Sequence, residues 1–340
     1  MNEPTFDDVI RAAAIIGPTL PPTPLWNYPA LDAVAKATVL VKHENAQPTG
    51  AFKVRGGLAF FAGLPESERR RGIVTYSTGN HAQSVAYAAA RAGARCLVVM
   101  PEGTSAAKVR ATQALGGEVE LVGASMTQAQ QRAEQLAAQQ DLRLVSPGDE
   151  PALIAGVGTL YRELFAAAPP LDAVVVPVGS GSGAAAACLV AAAMAPSTDI
   201  IAVQSASAPA AHDSWRAGAL LTRPNVTTVD GIATGRGFAL PQRILRRRLA
   251  DFLLVTDDQI AVARRLLATH AHTLAEGAGA AALAAVLNHD RFRGKQVAVI
   301  CTGGNASPHE LADLANNTPP DQSVARNREE SSRPVDGRHG

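Results

Sequence analysis

Four short segments of the sequence carry residue types suited to covalent chemistry on an aldehyde and to anion binding. Lys53 has glycines on both sides, and three small-residue runs follow it: Ser-Thr-Gly-Asn-His at 77–81, Gly-Ser-Gly-Ser-Gly at 179–183 and Thr-Gly-Gly-Asn at 302–305. A deprotonated lysine amine attacks aldehydes, and glycine-rich loops that open a helix bind anions through backbone N–H groups. Together they predict a lysine nucleophile, an anion-binding loop, a phosphate cradle and a polar loop.

The segment around Lys53 favours a buried amine. Phe52 precedes it, and apolar surroundings favour the neutral form of lysine. The glycines at 50, 56 and 57 would let the backbone approach a flat ring closely. The competing interpretation is a solvated surface lysine, and the three accompanying loops argue against it. For Arg55, the alternative to a role in the site is an ion pair that braces the domain.

The run at 179–183 predicts a phosphate cradle. It lies between a predicted strand at 173–178 and a predicted helix at 184–195, so backbone N–H groups converge there and the helix N-terminus adds positive charge. Ser180 and Ser182 add hydroxyl donors. No Gly-Lys-Ser/Thr follows, which disfavours a nucleotide-binding Walker A loop. An ordinary glycine-rich turn is the alternative.

The other two runs also follow predicted strands. Residues 77–81 come after a strand at 73–76, and their hydroxyls and N–H groups predict a carboxylate-binding loop at a helix start. The alternative is a cluster of ordinary helix caps, since Ser, Thr and Asn are favoured there. Thr302 follows a predicted strand at 297–301. If it has no role in the site, its hydroxyl simply caps the end of that strand.

These segments are positioned by alternating strands and helices. Continuous Val/Ile/Leu runs are typical of parallel strands buried on both faces, and the helices between them supply the crossovers. The fold class is therefore predicted to be α/β. The predicted strands lie at 39–41, 73–76, 96–100, 119–122, 173–178, 200–203, 252–255 and 297–301. Predicted helices include 81–91, 106–115, 126–139, 184–195 and 260–269.

The composition excludes several classes. Of the 340 residues, 47% are apolar, enough for a substantial core, and the net charge of +1 shows no electrostatic signature for nucleic acid or an anionic membrane. No signal segment or membrane-length apolar run is present, which predicts a cytoplasmic protein without a membrane partner. Cys96, Cys188 and Cys301 are far apart and odd in number, so reduced, buried thiols are expected.

The order and chemistry of the runs resemble the tryptophan-synthase-like (fold type II) pyridoxal-phosphate enzymes, and within them the threonine/serine dehydratases and serine racemases. The resemblance extends from about residue 6 to residue 305. It implies two open parallel-sheet α/β domains and a homodimer. Residues 1–57 and 151–315 would form the large cofactor-binding domain and 58–150 a smaller inserted one. The polar residues 316–340 are predicted to be a disordered tail.

The resemblance also implies pyridoxal 5'-phosphate as cofactor and assigns roles. Lys53 becomes the catalytic lysine that bonds to the cofactor aldehyde, Asn80 meets the ring hydroxyl and Thr302 faces the pyridine nitrogen. A neutral hydroxyl there, unlike an aspartate, favours elimination over transamination. The cofactor-binding residues would be Phe52, Lys53, Asn80, Gly179, Ser180, Gly181, Ser182, Gly183, Glu276 and Thr302. The substrate-binding residues would be Ser77, Thr78, Gly79, Asn80, His81, Thr234 and Arg236.

Two of these residues concern the substrate side chain, and one departure concerns metal. Thr234 is predicted to hold a β-hydroxyl, whereas Arg236 meets an anionic side chain or is a solvated loop charge. Many relatives bind a divalent cation through acidic residues at the position of 204–210. Here that run holds no carboxylate, and Asp213 is out of register, so no metal site is expected.

The predicted function is a pyridoxal-phosphate-dependent dehydratase (ammonia-lyase). It would convert a β-hydroxy-α-amino acid such as L-threonine or L-serine to a 2-oxo acid and ammonia. Other substrates stay open: phenylserine, 3-hydroxyaspartate or a hydroxyectoine-derived amino acid. A second alternative is an amino-acid racemase, because family racemases place a serine where Thr78 stands. The third is a non-catalytic cofactor-binding protein.

Overall fold

The fold is known from a computed structural model, which describes residues 2–316. The strands are β1 (Leu25–Asn27), β2 (Thr38–His43), β3 (Ile73–Tyr76), β4 (Cys96–Met100), β5 (Glu118–Leu121), β6 (Arg143–Val145), β7 (Ala173–Pro177), β8 (Asp199–Ser205), β9 (Asp251–Val255) and β10 (Gln296–Cys301). The helices are α1 (Phe6–Ile16), α2 (Pro29–Ala35), α3 (Lys53–Gly63), α4 (Glu66–Arg71), α5 (Asn80–Arg91), α6 (Ala106–Ala114), α7 (Met126–Gln140), α8 (Pro151–Ala167), α9 (Ser182–Met194), α10 (Ala210–Ala217), α11 (Ala239–Arg248), α12 (Asp257–His270), α13 (Gly277–Asn288) and α14 (Pro308–Asn316).

The strands form two sheets. One has six strands in the order β1-β2-β10-β7-β8-β9, and the other has four in the order β5-β4-β3-β6. All neighbours are parallel except β1, which pairs antiparallel with β2. The predicted α/β class with parallel sheets is confirmed.

All eight predicted strands are present, with ends that differ by at most two residues, and the five predicted helices agree within three. Two strands were not predicted, β1 and β6. Each has only three residues, too few to show a periodic pattern. The predicted burial of β5 on both faces is wrong, because β5 lies at a sheet edge and its residues are half-buried or exposed.

The six-stranded sheet is covered on both faces. Along β7, Val174 and Val176 belong to a buried cluster with α9, whereas Val175 belongs to a cluster with α13. This alternation follows from the two-residue repeat of a strand. Both helices are alanine-rich and almost wholly buried, so small side chains let them lie close to the sheet.

The domain division remains a prediction. The four-stranded sheet uses residues 73–145, inside the predicted insertion at 58–150, and the six-stranded sheet uses residues on either side. However, α3 runs without a break through the predicted boundary at 57/58. Residues up to Asn305 form one compact unit, and a second begins at Ala306. Most of the predicted tail, from residue 317, lies outside the described residues.

Parallel strands place their carboxyl ends at one edge of a sheet, where ligands of α/β proteins bind. The run at 179–183 follows β7, Thr302 follows β10 and the run at 77–81 follows β3. Within residues 2–316, no helix is long and apolar enough to cross a membrane.

Candidate active site

Lys53 begins α3 directly beside the end of β10. The Phe52 N–H donates to the Thr302 carbonyl at 3.0 Å, and Ala51 forms a bridge with Gly303. On the other side, Ser84 Oγ donates to the Lys53 carbonyl at 2.5 Å. The lysine backbone is therefore held between β10 and α5.

Glycines next to this lysine are required by close packing. A Cβ added to Gly57 would lie 2.5 Å from Ser84 Oγ, and one added to Gly56 would lie 2.9 Å from the Leu153 carbonyl oxygen. From the sequence, these glycines were expected to let the backbone approach a ring. In the structure they let α5 and α8 pack closely against α3 instead.

The amine of Lys53 points at the glycine-serine loop. Its Nζ lies 2.6 Å from Ser182 Oγ and 3.3 Å from Ser180 Oγ, and 5.1 Å from the centre of the Phe52 ring. Burial lowers the pKa of Lys53 to about 8, because removal from water disfavours the charged form. A sizeable fraction of neutral amine is therefore present near neutral pH.

The loop at 179–183 has the geometry of an anion cradle. Gly181 is the N-cap residue of α9, with φ of 91°, a left-handed conformation that glycine adopts easily. In the described part of the chain no side chain caps this helix. The first N–H groups of α9 therefore remain available for an anion. A Cβ on Gly179 would lie 2.5 Å from the Gly231 carbonyl oxygen, so the loop packs tightly against residues 231–234.

The run at 77–81 opens α5 without side-chain capping. Gly79 is the N-cap residue, and its own N–H donates to Ser77 Oγ at 3.3 Å. Because no side chain among residues 2–316 satisfies the first N–H groups of α5, the geometry favours anion binding over the alternative of ordinary helix caps.

The imidazole of His81 is used inside the protein. Its Nε2 lies 3.0 Å from Thr75 Oγ1, which itself donates to the Val145 carbonyl at 2.7 Å. Burial, and then the charge of Lys53, lower the pKa of His81 to about 3, so the ring is neutral. His81 was predicted to bind the substrate. Its backbone N–H, in the first turn of α5, is the group suited to a carboxylate.

Asn80 lies in a chain of side-chain hydrogen bonds. Its Nδ2 donates to Glu276 Oε1 at 2.6 Å, and its Oδ1 accepts from Asn305 Nδ2 at 2.8 Å. Asn305 also donates to the Thr49 carbonyl at 2.9 Å. These contacts bring together Asn80 and Glu276, two of the residues that were predicted to contact the cofactor. From the sequence, Asn305 is only the last residue of a polar loop.

Thr302 lies at the cavity wall with a buried side chain. Within residues 2–316 its hydroxyl has no hydrogen-bond partner, so it can meet a ring nitrogen. Glu276, the N-cap residue of α13, packs against the same loop, since a Cβ on Gly303 would lie 2.3 Å from Glu276 Oε1.

Residues 230–236 are held against the helices of the smaller sheet. Arg236 donates to Gln130 of α7 at 2.9 Å and lies 5.2 Å over the ring of Phe238. Lys108 of α6 forms an ion pair with Asp230. Among the described residues, the Arg236 guanidinium contacts no carboxylate, which leaves its charge available to an anion. Gln130 and Lys108 were not predicted, because a sequence does not show which helix faces a loop.

Thr234 is placed beside the cradle. Its Oγ1 donates to the Gly179 carbonyl at 3.2 Å and accepts from Gln204 Nε2 at 3.2 Å. Because the only hydroxyl hydrogen is used, a substrate hydroxyl can meet this oxygen only as a donor.

Arg55 is part of a buried cluster of charges behind α3. It contacts both Glu44 and Glu163 through two nitrogens each, at 2.6–2.8 Å, and Glu163 also pairs with Lys42. The interpretation of Arg55 as an ion-pair brace agrees with these contacts.

The predicted site residues surround one cavity of about 480 Å³. Of the predicted set, the cavity is lined by Phe52, Lys53, Ser77, Thr78, Gly79, Asn80, His81, Gly179, Ser180, Gly181, Ser182, Gly183, Thr234, Arg236, Glu276 and Thr302. Tyr76 and Met126 also line it and were not predicted, because aromatic and Met residues in apolar runs carry no functional signal. Within residues 2–316, no group of three or more metal-ligating side chains is present.

The profile of the family described as pyridoxal-phosphate dependent enzyme matches residues 16–303. The chain belongs to this family. It is 37% identical over 293 residues to the biosynthetic L-threonine dehydratase of Salmonella typhimurium, with 85% of this chain and 57% of that protein covered. It is 33% identical over 313 residues to the beta-hydroxyaspartate dehydratase of Paracoccus denitrificans, with 92% and 99% covered. The structure of maize serine racemase superposes with a TM-score of 0.87 at 28% identity, with 98% and 100% covered.

The cavity of this pyridoxal-phosphate enzyme fits its cofactor. The cradle at 179–183 would hold the phosphate through backbone N–H groups and Ser180 and Ser182, and Lys53 lies within reach of the same loop. Thr302 offers a hydroxyl without a partner in the described chain, and Asn80 offers its second amide hydrogen. When bound, pyridoxal 5'-phosphate supplies an electron sink for charge that develops at the substrate α-carbon.

Proposed function

We propose that this chain removes water from a β-hydroxy-α-amino acid such as L-serine or L-threonine, giving a 2-oxo acid and ammonia. The observation that carries the proposal is the amine of Lys53. It is half-buried, has a pKa lowered by burial and lies 2.6 Å from the cradle at Ser182. The dehydratase relatives support the same reaction class. The chain spans only 57% of the length of the Salmonella dehydratase that it matches.

In this proposal the residues divide the work. The uncapped start of α5 holds the substrate α-carboxylate, and Lys53 in its neutral form accepts the α-proton at Nζ. One proton passes to the β-hydroxyl, which leaves as water, and this proton balances the α-proton that Lys53 accepts. The enamine that is released takes up water in turn and yields the 2-oxo acid and ammonia. The neutral hydroxyl of Thr302 leaves the electron sink weak, which favours loss of the β-substituent over return of the proton.

The direct test combines product assays with one substitution. The enzyme is assayed with L-serine, L-threonine, phenylserine and 3-hydroxyaspartate. A substrate should release a 2-oxo acid and ammonia in equal amounts. Lys53→Ala should abolish turnover, and borohydride reduction of the native enzyme followed by peptide mapping should find the cofactor on Lys53. Lys295→Ala is the matched control, because Lys295 is an exposed lysine paired with Asp172. Turnover by Lys53→Ala at the native rate would refute the proposal.

A second candidate, amino-acid racemisation, is favoured by Thr78. This residue lines the cavity, and its hydroxyl has no partner within residues 2–316, so it can act as a proton donor in the site. Chiral chromatography of the same reactions tests this activity. Formation of D-serine that is lost in Thr78→Val would establish racemisation. Elimination without any D-serine would exclude it.

We also propose that the protein is a cytoplasmic homodimer. The dimer is supported by the family resemblance, and the compartment by three buried cysteines without disulfides, Cys96, Cys188 and Cys301. Sedimentation velocity of the holoenzyme tests the dimer, and microscopy of a tagged chain tests the compartment.

A further inference from the structure

A buried glutamine connects the start of α10 to residue 234. Gln204, near the end of β8, is fully buried. Its Oε1 accepts from the N–H groups of Ala211 and His212, both at 3.1 Å, and its Nε2 donates to Thr234 Oγ1 at 3.2 Å. The two backbone donors decide which end of the amide is the oxygen, so the Nε2 end must face Thr234.

The direction of the next hydrogen bond follows. A threonine hydroxyl has one hydrogen. Since Thr234 Oγ1 accepts from Gln204, its own hydrogen goes to the Gly179 carbonyl, 3.2 Å away. The chain of donors therefore runs from Gln204 through Thr234 to the first residue of the cradle.

Packing makes this connection stiff. Gly179 lies so close to Gly231 that a Cβ on it would be 2.5 Å from the Gly231 carbonyl oxygen, and a Cβ on Gly181 would be 2.9 Å from Pro241. The cradle cannot shift without moving the segments that follow β8. At the far end, Gln242 Nε2 donates to the Ala211 carbonyl at 2.9 Å, which fixes α10 against α11.

We propose that Gln204 and Thr234 are positioning residues for the phosphate cradle, so that Thr234 acts on cofactor affinity through the Gly179 carbonyl. The phosphate is the group affected, because Gly179 opens the loop whose N–H groups would surround it. The proposal rests on the proposed function only in that both use the same cofactor site. Because cofactor binding is measured without turnover, the two proposals can fail independently.

The test titrates cofactor-free Thr234→Val with pyridoxal 5'-phosphate and with pyridoxal, which lacks the phosphate. Loss of one partly buried hydrogen bond should weaken pyridoxal 5'-phosphate binding roughly five- to tenfold. Pyridoxal binding should change less than about twofold. Thr234→Ser retains the hydroxyl and should restore native affinity. At saturating cofactor, KM for L-serine should stay near the native value.

Two further variants separate the proposal from a general loss of structure. In Gln204→Glu the carboxylate still accepts from α10 but draws the Thr234 hydrogen away from Gly179, so it should reproduce the phosphate-specific loss. Thr227→Val is the control, because Thr227 lies on the same segment and bonds Asp257 instead of the cradle. A Thr234→Val enzyme with native pyridoxal 5'-phosphate affinity and a raised KM for L-serine would overturn the proposal. If no substrate is turned over, the titrations still decide it.

Discussion

The side-chain Nδ2 of Asn305 donates a 2.8 Å hydrogen bond to the side-chain Oδ1 of Asn80. Since Asn80 Nδ2 donates to Glu276 Oε1, both ends of the Asn80 amide have a defined orientation. One N–H of Asn80 is left to face a cofactor oxygen. Gly50 permits this contact: its φ is 68°, and a Cβ there would lie 2.5 Å from Asn305 Oδ1.

We predict that Asn305→Asp weakens pyridoxal 5'-phosphate binding about tenfold and shifts the visible absorbance of the bound cofactor. A carboxylate accepts the Asn80 N–H and turns the amide, so the hydrogen bond to the cofactor oxygen is lost. Cofactor titration and absorbance spectra measure both effects. Asn45→Asp is the control, because Asn45 also donates to a nearby backbone carbonyl without touching Asn80. An unchanged spectrum and affinity would contradict the prediction.

The lowered pKa of Lys53 predicts the pH dependence of cofactor uptake. The amine reacts only when neutral, so its rate with pyridoxal 5'-phosphate should rise about tenfold per pH unit below pH 8 and level off above it. Stopped-flow absorbance of the cofactor-free enzyme between pH 6 and 9.5 gives this profile. Acetyl-lysine amide is the reference, with a plateau near the ordinary pKa of 10.5. A rate that still rises at pH 9.5 would show that burial does not lower the pKa.

The same pKa shift links stability to pH. The folded cofactor-free enzyme disfavours protonated Lys53, so the unfolded state binds more protons between about pH 8 and 10.5, and stability rises with pH across that window. Lys53→Met should remove this rise. Urea unfolding of both proteins in cofactor-free form at pH 8 and 10 checks it, and an equal pH dependence in the two would argue against a buried amine.

We predict that Arg55→Met destabilises the fold by about 3–5 kcal/mol, because the fully buried carboxylate of Glu44 loses its charged partner and Glu163 keeps only Lys42. Burial acts to raise the pKa of Glu44, but Arg55 outweighs it and holds that pKa below its ordinary value. Glu44 therefore contributes stability that is lost as pH falls below about 4.5. Adding Glu44→Gln to Arg55→Met should recover part of the loss.

Denaturant unfolding of these variants gives the free energies. Arg95→Met serves as the control, since Arg95 makes a similar pair with Glu118 at the exposed surface, where the cost should stay below about 1 kcal/mol. Equal losses for Arg55→Met and Arg95→Met would mean that burial of the cluster has no energetic consequence.

Activity is expected to be insensitive to chelators. The run at 204–210 holds no carboxylate, and the amide of Gln204, near the end of β8, already bonds α10 and Thr234. Assays with and without EDTA test this. A large loss that magnesium or calcium restores would reveal a metal site built from other ligands.

Thr302→Asp should shift the reaction away from elimination. A carboxylate facing the pyridine nitrogen would favour its protonated form, so the charge at the α-carbon is held longer and the proton returns more often. The measurements are 2-oxo acid release and solvent-deuterium exchange at the α-carbon, with cofactor content determined alongside, since an unpaired buried charge is costly. Thr302→Asn is the neutral control. An unchanged ratio of elimination to exchange with full cofactor content would show that Thr302 does not face the nitrogen.

The sequence by itself determined the α/β class, the longer strands and the runs that line the cavity. Continuous apolar segments, glycines before helices and a lysine among small residues are local patterns, and they depend on neighbours a few residues away. For this reason the sequence alone predicts Lys53, the run at 77–81 and the cradle at 179–183, all of which line the cavity. Strands of three residues, such as β1 and β6, carry no such pattern and were missed.

Only the tertiary structure decided how distant residues pair. Gln204 and Thr234 are separated by 30 residues and Asn80 and Asn305 by 225, and nothing in either local sequence indicates the other. The same holds for His81. Its imidazole contacts Thr75, although its position in the run predicted a contact with the substrate. Hydrogen-bond direction depends on which donors and acceptors meet after the sheets and helices have packed, so the roles of these side chains follow from the fold and not from the motif.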